Sequence, residues 1–389
     1  MLLCIVLAPT ICCYQGVSAI EISSVIQSIC NSTNNTLIII YTISKPPAYI
    51  VKALHRGFSL YLEANLSLCV IDLDKLEKSI GVDLRHNIRV FPAVGLLIID
   101  TSEINKTRLK QIKQVSLEYG DLLVLKEPIP LLFGCRIYID SMYTYVEPSL
   151  SDAIVVGNPN ARIKVFIYED LYCPFCAKLY RDVISKLVDA TNTGVIAFVH
   201  KNFIVHPNVV PLHEYLEAMY MECHDPKKVF NIVMKLYIDY ANSGTPPSED
   251  KVKNLIKHEL GKLPDLSKYL NEVRSIIQNE TREAMSYGMC GTPGILVWDS
   301  EKGVGLIFSG YVPLSKFINI VKQFTGIDLS VYTTGSPAST VHSSSTTASV
   351  SPVTSGSLPS IPLIVWIFIA IVVAASIAIV VAYLKKRMR

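Results

Sequence analysis

Charge of one sign is what this 389-residue chain lacks. Thirty-six Lys and Arg stand against 33 Asp and Glu, a formal charge of +3. Four of the last five residues are basic, so everything before them sits near −1. No basic face remains for a phosphate backbone, which excludes the nucleic-acid binders. A second metal-ligand pair is also missing. Zinc needs two Cys/His pairs, and beside Cys173-Pro174-Phe175-Cys176 the chain offers only Cys223-His224, adjacent residues that diverge on a helix. We expect no metal and no cofactor. Lys and Arg are absent from the amino terminus, where Leu2 to Ala8 is apolar and Val17-Ser18-Ala19 follows. Residues 1–19 otherwise suit a cleaved secretory signal.

Charge is absent from one more stretch. Residues 361–384 are uninterrupted by Asp, Glu, Lys or Arg, and Lys385-Lys386-Arg387-Met388-Arg389 follows at once. At ~1.5 Å per residue this segment reaches about 36 Å, enough for a hydrocarbon core of ~30 Å. The basic tail, 385–389, belongs in the cytoplasm and the bulk of the chain outside, as a single-pass protein of the cell membrane held by its own C-terminal helix. Residues 329–360 are mostly Ser, Thr, Pro, Gly, Ala and Val, a composition that buries no core and reads as a stalk. Sequons at Asn31, Asn34, Asn65, Asn105 and Asn279 agree with a surface glycoprotein.

What is present centres on Cys173 and Cys176. Ile163 to Tyr168 is an apolar run that reads as a buried strand, and Ala177 to Val188 carries apolar residues at helical spacing. Cys173 therefore falls at the first turn of a helix leaving a strand. Free amides and partial positive charge there favour an anion, so its thiol should be acidic and reactive. Cys176 lies one turn on, close enough to close a disulfide. A structural disulfide is the plain alternative. Downstream, Gly291-Thr292-Pro293-Gly294 enters the strand Ile295 to Trp298, and Thr292-Pro293 is a natural place for a cis bond.

These pieces, in this order, carry a resemblance. Val155-Val156-Gly157-Asn158-Pro159-Asn160-Ala161, then Asp170-x-x-Cys173-Pro174-Phe175-Cys176, His206-Pro207 and Gly291-Thr292-Pro293 resemble the DsbA-like branch of the thioredoxin superfamily over about residues 154–326. The resemblance implies an α/β thioredoxin-like fold with a helical insertion for residues 148–328. Cys173 and Cys176 would be the catalytic pair, and Thr292 with Pro293 would bind substrate backbone. The family often has an acid six positions before the first cysteine. Here that position is Ile167, with Glu169 and Asp170 close by. Leu171, Tyr172 and Phe175 offer an apolar rim for unfolded substrate.

Residues 20–147 read as a preceding α/β domain. Strand Thr36 to Thr42, a helix from Ala48, strand Leu66 to Asp72, a short helix to Ile80 and a strand entered through Pro92 look like a degenerate thioredoxin-like unit with Ser44 to Pro47 in place of a redox motif. An unrelated α/β domain competes evenly. Seven cysteines survive signal removal. A structural Cys223–Cys290 bridge is expected, the rival being that Cys290 joins the exchange. Pairing among Cys30, Cys69 and Cys135 stays open.

The expected function is an extracytoplasmic, membrane-anchored thiol–disulfide oxidoreductase that forms or exchanges disulfides in exported proteins. Its partners would be exported proteins with free thiols and a membrane redox partner, quinone-linked by expectation. A reductase or isomerase is the alternative within this chemistry. A surface binding protein with a structural disulfide is the alternative outside it.

Overall fold

The computed structural model describes residues 19–128 and 142–333. The segment before Ala19, Cys135, the chain from 334 through the stalk, the apolar span and the basic tail lie outside the described residues. Among the described residues no helix is long and apolar enough to cross a membrane.

Leu37-Ile38-Ile39-Ile40 is apolar without alternation because the strand it forms, β1 (Thr36–Tyr41), is covered on both faces. β2 (Ser67–Asp72) runs parallel to it and β3 (Ala93–Leu97) antiparallel. The hairpin β4 (Ser116–Tyr119) and β5 (Leu122–Leu125) adds to β3, giving the order β2-β1-β3-β5-β4. Helices α1 (Ala19–Cys30) and α3 (Leu73–Ile80) bury Ile22, Ile26, Leu76 and Ile80 against Ile38 and Ile40. Helices α2 (Ala48–Leu62) and α4 (Lys106–Gln114) bury Leu54, Phe58, Leu109 and Ile112 on the opposite face. Each such buried side chain contributes ~1.5–3 kcal/mol. A Cys30–Cys69 disulfide ties the end of α1 to β2, which resolves the open pairing.

The second sheet has the order β6-β11-β10-β8-β9-β7. Its strands are β6 (Met142–Thr144), β7 (Ile154–Val156), β8 (Ile163–Glu169), β9 (Ile196–Asn202), β10 (Gly294–Asp299) and β11 (Val304–Ser309). β8 and β9 are parallel, and the other neighbours antiparallel. Along β8, Ile163, Val165 and Ile167 enter one core while Phe166 and Tyr168 enter the other, as a period of two requires. Helix α5 (Pro174–Leu179) leaves the end of β8, but no regular helix runs on to Val188. A π turn occupies Tyr180–Ile184, with a single α-turn at Ser185–Leu187 beyond it.

Between β9 and β10 stands the expected insertion: α6 (Val210–Cys223), α7 (Pro226–Ser243), α8 (Glu249–Leu260) and α9 (Leu266–Ser286). Asp225, Ser248 and Asp265 cap the last three by accepting first-turn amides. Helix α10 (Leu314–Thr325) closes the unit.

The two sheets share a core order. In each, a central strand is parallel to the next strand and antiparallel to one entered through a cis X-Pro bond, Phe91-Pro92 in the first and Thr292-Pro293 in the second. They are also joined. Phe91 and Tyr143 exchange two backbone hydrogen bonds, of 2.8 and 2.9 Å, so β6 is held between β11 and the entry to β3. The segment that the 147/148 boundary leaves with the first unit thus pairs with the second.

Candidate active site

The site is built by a turn. β8 ends at Glu169, and the buried carboxylate of Asp170 accepts the amides of Tyr172 (2.8 Å), Val205 (2.9 Å) and His206 (2.8 Å). The Asp170 carbonyl accepts the Cys173 amide at 2.8 Å. Cys173 is then the N-cap of α5, with φ −79° and ψ 116°. Pro174 follows in the first turn, where a missing amide hydrogen costs nothing.

Cys173 and Cys176 are both thiols here. Cys173 Sγ accepts the Cys176 amide at 3.4 Å and lies 3.2 Å from the Thr292 carbonyl, to which its thiol donates. The pKa of Cys173 falls from 9.0 to about 6. A hydrogen bond from the Cys176 thiol lowers it most, burial opposes, and the Thr292 side chain and the amides of Cys176 and Phe175 lower it further. Burial pushes the Cys176 thiol well above its ordinary value, helped by the neighbouring Cys173 and the charge of Glu169. One sulfur is therefore ionised near neutral pH and the other holds its proton. Cys173 is 4% exposed, Cys176 fully buried, and Phe175 beside them 56% exposed.

Thr292 and Pro293 sit where β10 begins, facing the pair. Phe175 projects to solvent as expected of a rim. Leu171 does not. Its side chain is fully buried in the core around α5, because its amide is drawn inward to His213 Nε2 at 3.2 Å. His206, given no chemistry by the sequence, pairs its ring with Asp170 at 3.2 Å.

The Cys223–Cys290 bridge is not formed. Cys223 is a free thiol that ends α6 with its sulfur against the Asp225 backbone. It packs on the core facing α5, whereas Met289, next to Cys290, packs on the opposite face of the sheet. The Cys290 sulfur reaches the Gly288 carbonyl at 3.6 Å.

Of the two acids that the sequence places near the pair, Glu169 and Asp170, the structure separates the surroundings. Ile167 is plain core, but Glu169, two residues along the same face, is fully buried with Oε1 2.6 Å from His200 Nδ1 on β9. Burial pushes the His200 imidazole down, but the carboxylates of Glu169, Glu217 and Glu280 together outweigh it and the net direction is up. Tyr180 and Tyr237 stack at 4.6 Å nearby, their hydroxyls held protonated by burial and the same carboxylate. The alternation of β8 was the available signal, since residues 167 and 169 share a face.

Among the described residues of the first unit, the turn after β1 carries Ser44 to Pro47 in place of a cysteine pair. Ser44 to Pro47, Phe91, Pro92 and Tyr143 line a cleft of about 190 Å³. The backbone edge before Pro92 is already taken by Tyr143. Among the described residues no group of His, Cys, Asp and Glu is arranged to hold a metal ion.

Residues 149–302 match the Thioredoxin family model. No curated protein matches the chain. Among solved structures, Wolbachia pipientis α-DsbA1, in a variant with two cysteines replaced by alanine, is 19% identical, covering 47% of this chain and 94% of its own, with a TM-score of 0.38. The catalytic domain of Proteus mirabilis ScsC is 19% identical over 44% and 88%, TM-score 0.35. Bacillus subtilis BdbD in its oxidised form is 18% identical over 46% and 95%, TM-score 0.36. Residues 149–302 are a thioredoxin-like domain, with the Cys173–Cys176 pair opening the helix that leaves its central strand.

Proposed function

We propose that the chain is an extracytoplasmic thiol–disulfide oxidoreductase, anchored in the membrane by residues 361–384, that acts on exported proteins. The observation that carries this reading is the asymmetry of the pair: Cys173 acidic, at about 6, and Cys176 buried and protonated. In the oxidising direction a substrate thiolate attacks Cys173 Sγ. The Cys173–Cys176 bond breaks, and Cys176 leaves as a thiolate and takes up a proton. A second substrate thiolate then displaces the Cys173 thiolate. The substrate loses two electrons and two thiol protons, and the enzyme gains the electrons. A membrane redox partner, quinone-linked in this reading, takes them on. Glu169, buried beside Cys176, is the group that supplies or receives the Cys176 proton. Thr292 and Pro293 present the edge on which extended substrate lies, and Phe175 gives it an apolar contact. The first unit positions the catalytic one through Phe91 and Tyr143.

The test is the reduction potential of the pair in the full chain, equilibrated against glutathione. A value of about −120 to −180 mV supports disulfide donation, and one near about −270 mV supports a reductase. A pair that stays oxidised below about −300 mV is structural and ends the enzymatic reading.

A further inference from the structure

We propose that His213, carried by the insertion helix α6, is a positioning residue for the redox loop, held by Asn202 in the one tautomer that can accept the Leu171 amide. The inference rests on the exchange chemistry proposed above and adds a role for the insertion within it.

Asn202 is the last residue of β9 and is 1% exposed. Its Nδ2 lies 2.6 Å from Glu217 Oε1 of α6 and 2.6 Å from Glu280 Oε2 of α9. Glu280 Oε2 also accepts the Asn202 backbone amide at 2.8 Å, and Glu280 Oε1 is 3.1 Å from Lys201 Nζ. Because Glu280 already accepts the Asn202 backbone amide and pairs with Lys201, it faces the side chain as an acceptor, and the end of Asn202 that meets it must be the nitrogen. The oxygen of Asn202 must therefore face the other way, where His213 Nδ1 stands 2.6 Å from it. That oxygen only accepts, so Nδ1 must carry the hydrogen. A neutral imidazole protonated at Nδ1 has its lone pair at Nε2, and Nε2 is the atom 3.2 Å from the Leu171 amide. Every step runs through groups that are buried.

Leu171 is two residues before Cys173, inside the turn closed by Asp170. Fixing its amide fixes the approach of Cys173 to the amides of Phe175 and Cys176 that favour its thiolate. The imidazole has the right charge for this. Burial and the facing His200 hold its pKa down to about 3, so it stays neutral wherever thiols exchange. Burial and the neighbouring Glu280 push Glu217 up to about 7, and burial raises Glu280 as well, at the far end of the chain of bonds. The insertion helices thus do more than cap the sheet. Both α6 and α9 contribute side chains to a rod of hydrogen bonds that ends at the redox loop.

The test uses the full chain in three forms: unsubstituted, His213→Met and His213→Gln. Met fills similar space without donor or acceptor, and Gln keeps one of each. The readout is the pH midpoint of Cys173 alkylation by iodoacetamide. For His213→Met we expect the midpoint to rise by about one unit, which is about tenfold less thiolate on the acid side. His213→Gln should restore most of the difference. A folded Met variant with an unmoved midpoint overturns the proposal. Should that variant fail to fold, nitrogen NMR of the unsubstituted protein decides instead. His213 must show its proton on Nδ1 and a bare Nε2 between pH 5 and 8, and a proton on Nε2 overturns the assignment. An unsubstituted chain that exchanges no disulfides would instead defeat the functional reading, whatever the tautomer.

Discussion

The acidity of Cys173 should be visible as a break in how the pair's potential depends on pH. The disulfide carries no thiol proton. Its reduction below pH 6 takes two electrons and two protons, and the potential falls by about 59 mV per pH unit. Above the Cys173 pKa of about 6 only Cys176 still takes a proton, because burial holds its pKa well above 9.0. The slope should then drop to about 30 mV per unit. The sign follows from linkage. Because the pKa is depressed, the reduced form gains nothing below pH 6, gains progressively above it, and holds the full benefit above 9. Three units amount to about 4 kcal/mol at most, but at pH 7 only about 1.4 kcal/mol is realised, or about 30 mV toward the oxidant side. That is a fifth of the roughly 150 mV between a thioredoxin-like reductant and a strong oxidant. Acidity alone therefore does not make this pair a strong oxidant at neutral pH, and the measured potential must report other stabilisation of the dithiol if it lies there. The assay is equilibration with glutathione from pH 5 to 8, paired with alkylation of Cys173. A single slope of about 59 mV per unit throughout, or an alkylation midpoint near 9, would mean that the Cys173 thiol is not acidic.

Three further outcomes are expected. Glu169→Gln keeps the buried volume but removes the proton acceptor beside Cys176, so resolution of a Cys173 mixed disulfide should slow by about 100-fold at pH 7; single-turnover rates equal to those of the unsubstituted protein would remove Glu169 from the mechanism. Replacing Cys30 and Cys69 by Ala opens a loop with a sequence separation of 39, which should cost up to about 4 kcal/mol in chemical denaturation while leaving the potential of the catalytic pair unchanged. Tyr143→Pro deletes the amide that donates to the Phe91 carbonyl, and calorimetry should then resolve two unfolding transitions where the unsubstituted chain is expected to show one.

How much of this was legible depended on how far apart the informative residues lie. β1 announces itself as an unbroken apolar run and β8 as one interrupted only by Lys164 before Glu169, and Asp225, Ser248 and Asp265 mark their helices in single letters, because caps and periodicity are local. Cys173 at a helix start is local too, and so is Cys176 three residues on, whose thiol and amide lower the Cys173 pKa. α4 gives no such signal because Lys106–Gln114 is almost entirely polar and buries only Leu109 and Ile112, too thin a stripe to register. The expected rim at Leu171 and the expected Cys223–Cys290 bridge failed for a different reason. Each assumed which way a side chain points, and that is set by partners elsewhere in the chain. Leu171 turns inward because His213 takes its amide, and His213 can take it only because Asn202, Glu217 and Glu280 dispose of every other hydrogen in the chain of bonds. Those residues are scattered from 171 to 280 over a turn, a strand end and two helices. None carries a motif. Their shared trait is that each contributes a polar group with no solvent, a backbone amide at Leu171 and a side chain at the others, and such groups find their partners only once the sheet and the insertion have closed around them. The cysteine pair is thus written in a few consecutive letters, while the support that gives one of its sulfurs a fixed geometry is spread from the redox turn to the last insertion helix.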